Sequence, residues 1–259
     1  MPREHMSKEC AICGSALIQR TQPEQAKCSY CGKQGEEQFL CPKGHVLCQE
    51  CRNKDAMSVI TGLVRATTAT DPGDLAELMM GLPNLPMLGC EHAFIAAGSF
   101  MAALRNSPYG REKITNEDLQ EVLDRTAKQA VNGHCALTGV CGVAPALGAC
   151  VSVFLGARWG SDTEQKITME AVLRVMQAIA NMTGPACCKA SVRTGLRETV
   201  AFFSERFGIL LPFSETPVVC NRSALHPHGC AEDRCPYYQK PAADIFADSI
   251  HLPITACRS

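Results

Sequence analysis

A chain of 259 residues has room for one large domain and a small one, and a 46% share of hydrophobic residues is ordinary for a globular protein. A formal net charge of -1 supplies no field that would draw the chain to nucleic acid or to anionic lipid, which excludes both as general partners. Aromatic residues make up 5%, with Trp159 the single tryptophan, so the core is expected to be built from Ala, Leu, Val and Met.

In chain order, the opening stretch MPREHMSKEC is charged and lacks the apolar run of a signal peptide. That implies a reducing cytoplasm, where thiols persist as metal ligands or catalytic groups. The 17 cysteines, an odd number, also fit poorly with a fully paired disulfide framework. Seven of them fall within the first 51 residues, and residues 1–52 read as a small zinc-finger module of ribbon or treble-clef type. This segment is polar and ligand-dense. Bound metal therefore has to supply its folding free energy, on the order of 10 kcal/mol or more in such small units.

Residues 53–259 read as a mainly α, bundle-like, cysteine-rich metal domain. An apolar face predicts a helix over 57–66. Asp71-Pro72-Gly73 reads as a turn, 75–80 as a short helix and 81–86 as a loop. Helices are predicted over 93–104 and 114–131, the second with Thr115 as its cap and Leu119, Val122, Leu123, Ala127 and Ala130 along one face. Further helices are expected over 145–157, 168–181 and 185–207, with Pro145 and Pro185 in first turns. After Gly208 the chain becomes loop-like. Residues 135–157 carry no charged side chain, which nominates a membrane span. Gly139, Gly142, Pro145 and Gly148 interrupt that run, however. A helix from Pro145 would reach only roughly 20 Å at 1.5 Å per residue, so a buried central helix is expected and no membrane contact.

The N-terminal ligands come in four pairs: Cys10 and Cys13, Cys28 and Cys31, Cys41 and His45, Cys48 and Cys51. A tetrahedral zinc takes four thiolates or imidazoles, so eight ligands predict two zinc ions. Glycine follows Cys13 and Cys31, as in a zinc knuckle, where it accepts a backbone conformation costly to other residues. Sequential sites would join the first two pairs and the last two; a cross-braced module would interleave them. The run from Cys41 to Cys51 resembles the middle of a RING-type finger, although the order of pairs departs from RING proteins. Lys27, Lys33, Lys43, Arg52 and Lys54 are mixed with acids and form no basic stripe with stacking aromatics, so the module is expected to be structural or to dock a partner.

The helical part carries a second set of ligand-competent residues beside glycine or proline: Cys90, Glu91 and His92; His134 and Cys135, with Cys141; Cys187, Cys188 and Lys189; and Cys220, Cys230 and Cys235. Helix starts stabilise thiolates and anionic ligands, and such scattered segments suit one buried site between packed helices. Soft thiolates suit zinc, copper(I) or iron–sulfur clusters, though the spacings are not the compact runs of ferredoxins. Cys150, in an apolar segment, reads as a core residue, and Cys257 as inert. His226 and His228 share a loop with Cys220, Cys230 and Cys235 that would suit a third structural metal site.

Three segments resemble a family of uncharacterised cysteine-rich bacterial and archaeal proteins, a domain sometimes fused to S-adenosylmethionine-dependent methyltransferases. They are His134-Cys135-Ala-Leu-Thr-Gly139, the run from Gly184 to Arg193 through Cys187-Cys188-Lys189, and Cys235-Pro236-Tyr237-Tyr238. The resemblance spans about residues 85–240 and the knuckle-bearing N-terminus, and implies no activity. Cys90-Glu91 before an Ala-rich helix, the Gly/Ala-rich segment 142–148 and Cys187-Cys188-Lys189-Ala190 are similar in layout to L-cysteine desulfidases and iron–sulfur L-serine dehydratases. That likeness implies a helical lyase with a three-cysteine [4Fe–4S] cluster and one iron open to substrate. The Thr and Pro that accompany the first Cys-Glu in those enzymes are absent, and Cys188 stands where Asp-Gly would follow the later cysteine.

Three functions follow as expectations. The first is a lyase-like enzyme acting on a small sulfur- or hydroxyl-bearing acid. Its [4Fe–4S] cluster would be held by Cys90, Cys187 or Cys188, and one of Cys135, Cys230 or Cys235. Lys189 or Arg193 would hold a substrate carboxylate, and Glu91, His92 or His134 would move protons. The second is a zinc-stabilised adaptor or metal/redox sensor working with a methyltransferase or another metalloenzyme. The third is structural zinc throughout.

Overall fold

The computed structural model describes residues 9, 10, 12, 13, 15–182, 186–214 and 220–238. Gly14, Gly184, Pro185 and Cys257, singled out above, lie outside them. The chain begins with an antiparallel hairpin, β1 (Ile18–Lys27) and β2 (Gln34–Leu40), which pairs Ile18 with Leu40 at one end and Lys27 with Gln34 at the other. The sequence reading does not contain this hairpin. Its strands are polar on both faces and almost wholly exposed, so no alternation of apolar and polar residues marks them.

Nine helices follow among the described residues: α1 (Gln49–Asn53), α2 (Ala56–Ala66), α3 (Pro72–Met80), α4 (Glu91–Asn106), α5 (Asn116–Gln129), α6 (His134–Thr138), α7 (Val143–Phe154), α8 (Asp162–Asn181) and α9 (Cys188–Phe207). The fold is mainly α, as expected. α4 is buried along nearly its whole length and packs against α2, α3, α5, α7 and α9. A helix apolar on all sides belongs at the centre of a bundle. Its small residues let neighbours come close: a Cβ on Gly98 would sit 2.7 Å from Val64 Cγ2 on α2. α7, equally apolar, lies against α4, α5, α8 and α9. It is 12 residues long, and no helix among the described residues is long and apolar enough to cross a membrane.

Some boundaries differ from the sequence reading for local reasons. Asp71-Pro72-Gly73 is not a free turn but the start of α3: Asp71 accepts hydrogen bonds from the amides of Gly73 and Asp74 at 2.7 and 3.2 Å, and Pro72 is the first helical residue. α8 begins at Asp162 rather than 168, because its polar first turns carry no apolar periodicity. Asp162 and Glu164 there complement the helix dipole instead. In α5 the Thr115 cap forms a full capping box with Asp118, while Thr126 rather than Ala127 continues the buried face. The core also holds a group absent from the composition argument: Phe100, Phe154, Phe203 and Phe207, with Phe100 and Phe203 edge to face at 4.7 Å.

The N-terminal segment is tied to the helices by polar bonds and apolar contact. Tyr30 donates to the Leu78 carbonyl at 2.8 Å, and Asn84 donates to those of Arg52 and Lys54 at 2.8 and 3.0 Å. Ile12 and Tyr30 belong to the same apolar cluster as the residues of α2 to α4.

Candidate metal centres

The eight N-terminal ligands form two groups. Cys10, Cys13, Cys41 and His45 bring their ligand atoms within 4.8 Å of one another, and so do Cys28, Cys31, Cys48 and Cys51. Of the two arrangements left open by the spacing, the interleaved one is present. Cys41 follows directly after the Ile18–Leu40 pair, whereas Cys28 and Cys31 sit in the turn beyond the Lys27–Gln34 pair. The hairpin therefore carries each half of the module to its own group. Cys13 and Cys41 sulfurs are 3.5 Å apart, Cys31 and Cys48 are 3.6 Å apart, and His45 Nδ1 lies 3.7 Å from Cys41 and 3.8 Å from Cys10. Sulfur ligands about 2.3 Å from a tetrahedral zinc would stand about 3.8 Å from one another. Both groups can therefore hold a metal ion, and their dimensions are consistent with zinc.

Local backbone geometry supports charged sulfur. Amides donate to Cys41 from Lys43 at 3.3 Å, to Cys28 from Cys48 at 3.5 Å and to Cys48 from Cys51 at 3.5 Å. At Cys13 burial works upward, but hydrogen bonds from the Ser15 hydroxyl and amide outweigh it and hold the thiol at about 6. At Cys28 burial is likewise outweighed by backbone amides, which leave the thiol at about 7. Burial pushes Cys10 up to about 11. Gly32, at φ +73°, makes the turn after Cys31 that the knuckle pattern implies.

In the helical part the vicinal pair Cys187-Cys188 divides two neighbourhoods. Cys187 is the extended residue before α9 and Cys188 is its first residue, so their side chains leave the backbone in different directions. The charges of Cys141, of the adjacent Cys187 and of Cys135 act on Cys188, and those of Glu91, Cys135 and Cys141 act on Cys90. This group stands at helix starts. Cys90 precedes α4 and its amide donates to Asn132 Oδ1 at 3.2 Å; Cys141 lies just before α7. Burial raises all three thiols, Cys188 to about 11. Cys135 differs. It lies on α6, within the wholly exposed stretch 131–140, and His134 is exposed beside it.

The expected proton-moving groups Glu91 and His92 follow Cys90 directly. His92 is buried, with Nδ1 3.1 Å from the Gly89 carbonyl oxygen. Glu91 Oε2 and His92 Nε2 are buried without a hydrogen-bond partner. Burial, with the charge of Lys189 adding to it, holds His92 down at about 3. Lys189 is buried too; its Nζ donates to the Met80 carbonyl at 2.9 Å, and burial with Arg222 and Arg193 nearby lowers it to about 8. Arg193 is engaged by the Glu77 carboxylate through two hydrogen bonds of 2.6 and 2.9 Å. A cleft lined by Asp74, Glu77, Arg193, Arg197, Phe213 and Tyr237 reaches this pair but none of the cysteines.

Cys187, Cys230 and Cys235 are alternatives for the Cys90 site in the sequence reading, which also offers the loop of Cys220, Cys230 and Cys235 as a separate metal site. Cys187 and Cys235 pack with Cys220 against Ala190 and Tyr237, and the charges of Cys187, Cys220 and Cys230 act on Cys235. Cys141 and Cys220, ligand-competent in the sequence reading but outside its cluster ligand set, thus join the two groups. Their proximity to glycine and to the other cysteines was the available signal. Cys150 is a core residue as expected, its thiol donating to the Ala97 carbonyl at 3.4 Å.

A family model described as a family of unknown function, DUF5714, matches residues 60–238, a span that begins within α2 and excludes the N-terminal ligands. Neither a curated protein nor a solved structure matches the chain.

Proposed function

The chain belongs to the DUF5714 family of unknown function, and we propose from its own residues that it is a cytoplasmic metalloenzyme. In this reading two zinc ions stabilise the N-terminal module. An iron–sulfur cluster held by Cys90, Cys141 and Cys188 serves a lyase-like reaction on a small acid bearing sulfur or a hydroxyl group. The observation that carries it is that two buried, unpartnered polar atoms, Glu91 Oε2 and His92 Nε2, belong to the two residues directly after Cys90, and that the Glu91 charge acts on the Cys90 thiol. Buried polar atoms are ordinarily satisfied. A carboxyl and an imidazole left open beside a thiol group are placed to hold or move a proton of a bound ligand.

Three further features support the reading. Among the described residues only the two N-terminal groups draw their ligand atoms within 4.8 Å, and the wider Cys90 group suits a multi-iron cluster better than a single ion. Three of its thiols stand at packed helix starts, whereas Cys135 stands on an exposed five-residue helix. That asymmetry suits a cluster with one reachable iron, which when bound supplies a Lewis acid. Lys189, close enough to act on His92, contributes a positive charge for a carboxylate. Arg193 is already engaged by Glu77. The substrate class is named on the layout resemblance to L-cysteine desulfidases and L-serine dehydratases.

The test is anoxic purification followed by iron, zinc and acid-labile sulfide analysis, the visible spectrum, and turnover assays with thiol- and hydroxyl-bearing amino acids. The expected result is a coloured protein in which C90A and C188A each lose one cluster's iron and sulfide and keep their zinc, and H92Q keeps the cluster but loses turnover. A colourless zinc protein after cluster reconstitution overturns the reading. Leu137 and Val140, 82% and 48% exposed beside Cys135, favour a second reading, an adaptor or redox sensor docking a protein such as a methyltransferase. Co-purification lost in L137S, with no turnover in the wild type, would select it.

A further inference from the structure

Residues 220–238 pose a problem of stability. Their only regular structure is two three-residue turns of 3-10 helix, and their buried side chains are His226, Pro236 and Tyr237. That is too little apolar surface to fix such a segment on a helix bundle. Yet its thiols lie in an ordered setting. We propose that Cys187, Cys220, Cys230 and Cys235 form a separate four-thiolate centre for a thiophilic metal, and that this centre fastens residues 220–238 to the start of α9.

Four observations carry the inference, and none depends on the reaction proposed above. First, Cys187, Cys220 and Cys235 all pack, with Met182, against one small buried cluster made by Ala190 and Tyr237. Second, the two ends of the segment are clamped together, the Cys220 amide donating to the Tyr237 carbonyl at 2.8 Å. Third, the sulfurs accept amides two residues ahead: Arg222 to Cys220 at 3.4 Å and Glu232 to Cys230 at 3.3 Å. The Lys43 amide makes the same bond to Cys41 at 3.3 Å in the N-terminal module. Donors in this position favour thiolate, the ligand form. Fourth, Glu232 has φ +49°, the one non-glycine residue with positive φ among those described. Such a conformation persists where surrounding structure over-determines it.

His226 of this loop falls outside the ligand set, and His228 is exposed. His226 Nδ1 accepts the His228 amide at 3.3 Å, which leaves Nε2 to donate to the Ala186 carbonyl at 3.1 Å. Both ring nitrogens are engaged, and the second bond anchors the segment one residue before Cys187. With His226 engaged, the four thiols make an all-sulfur donor set, which selects zinc or an iron–sulfur cluster over harder cations; their sulfurs stand wider than the 4.8 Å of the two N-terminal groups, so a single zinc would have to draw them together. Acid-labile sulfide separates the two.

The test uses the anoxically purified full chain. C187S, C220S, C230S and C235S should each lose the same single centre, read either as one zinc or as one cluster's iron and sulfide, and paired substitutions should lose no more. C188S should lose metal from the other group only, and C187S/C188S from both. Because some variants will fold poorly, native alkylation of the wild type is the companion measurement. The four cysteines should be protected together and become reactive together on metal stripping. Unchanged metal content in all four single variants, additive losses in the pairs, or free alkylation of the four thiols in metal-loaded protein would overturn the inference. Loss of the lyase-like reading leaves this result untouched, because no readout here is turnover.

Discussion

Arg193 on α9 grips Glu77 on α3 with both sides of its guanidinium, Nε to Oε1 at 2.6 Å and Nη2 to Oε2 at 2.9 Å, while the Tyr237 ring lies 5.2 Å away. The pair joins the helix that begins at the vicinal cysteines to the helix that receives Tyr30 of the N-terminal module. The arginine side chain is 9% exposed and the glutamate 32%. Removing the glutamate strands a buried charge, but partial exposure softens the effect. E77A is expected to lower stability by about 2–3 kcal/mol, near the range for hydrogen bonds to charged groups. E77Q should lose less, because its amide oxygen still accepts. Urea unfolding of both variants and of E77L/R193M measures this. A double variant no more stable than E77A would show that the stranded arginine is not the cause.

The interleaving of the N-terminal ligands makes a prediction that sequential pairing reverses. Cys13 and Cys41 belong to one group, Cys13 and Cys31 to two. C13A/C41A should therefore lose one metal ion relative to the metal-loaded wild type, and C13A/C31A two. Sequential sites would give the opposite pair of numbers. Native mass spectrometry reads the difference directly, whatever metal the helical part holds.

Thr115 and Asp118 cap α5 reciprocally. The Asp118 amide donates to Thr115 Oγ1 at 3.1 Å and the Thr115 amide donates to Asp118 Oδ2 at 2.9 Å. T115A should cost about 1 kcal/mol in unfolding free energy and T115S much less, since only the hydroxyl acts.

What could be read from the residues follows from how local each signal is. α5 was legible because its cap and its buried Leu119, Val122 and Leu123 repeat at helical spacing within one short window. The eight candidate metal ligands were legible for the same reason, as close pairs. Their assignment to groups was not, because the knuckle spacing is identical in either arrangement and only the course of the hairpin decides it. The hairpin itself carries polar residues on both faces, so nothing distinguishes it from a loop. The vicinal cysteines were legible as candidate ligands but not as neighbours of two different sets of cysteines. That division depends on α9 starting between them, which places Cys187 with the 220–238 segment and Cys188 with Cys141.

Close approach of α2 and α4 rests on one missing methyl group. A Cβ on Gly98 would lie 2.7 Å from Val64 Cγ2 and 3.3 Å from Cγ1, and both residues are fully buried. G98A should therefore destabilise by about 1–3 kcal/mol through overpacking, despite alanine's higher helix propensity. V64A opens the same space, so G98A/V64A should be more stable than the sum of the single effects predicts. Strict additivity in thermal or urea unfolding would show that the helices do not meet there.

Metal removal should melt the chain unevenly. The hairpin strands are exposed almost throughout, and the N-terminal module buries little beyond Ile12, Tyr30 and its own cysteines. A metal ion in each candidate group would therefore be its main source of stability, on the order of 10 kcal/mol or more by analogy with small zinc units. The helices have a separate source: α4 and α7 are sheathed in apolar contacts that involve no metal ligand along most of their length. On chelation, hydrogen exchange should accelerate first at amides bonded inside the ligand loops, such as Cys10 to Ser15, Cys28 to Lys33 and Gly32 to Cys28. The central turns of α4 should stay protected under the same conditions. Simultaneous loss of protection at α4 would mean that the bundle is not stable by itself and that Tyr30 and Ile12, where they join its apolar cluster, transmit the loss.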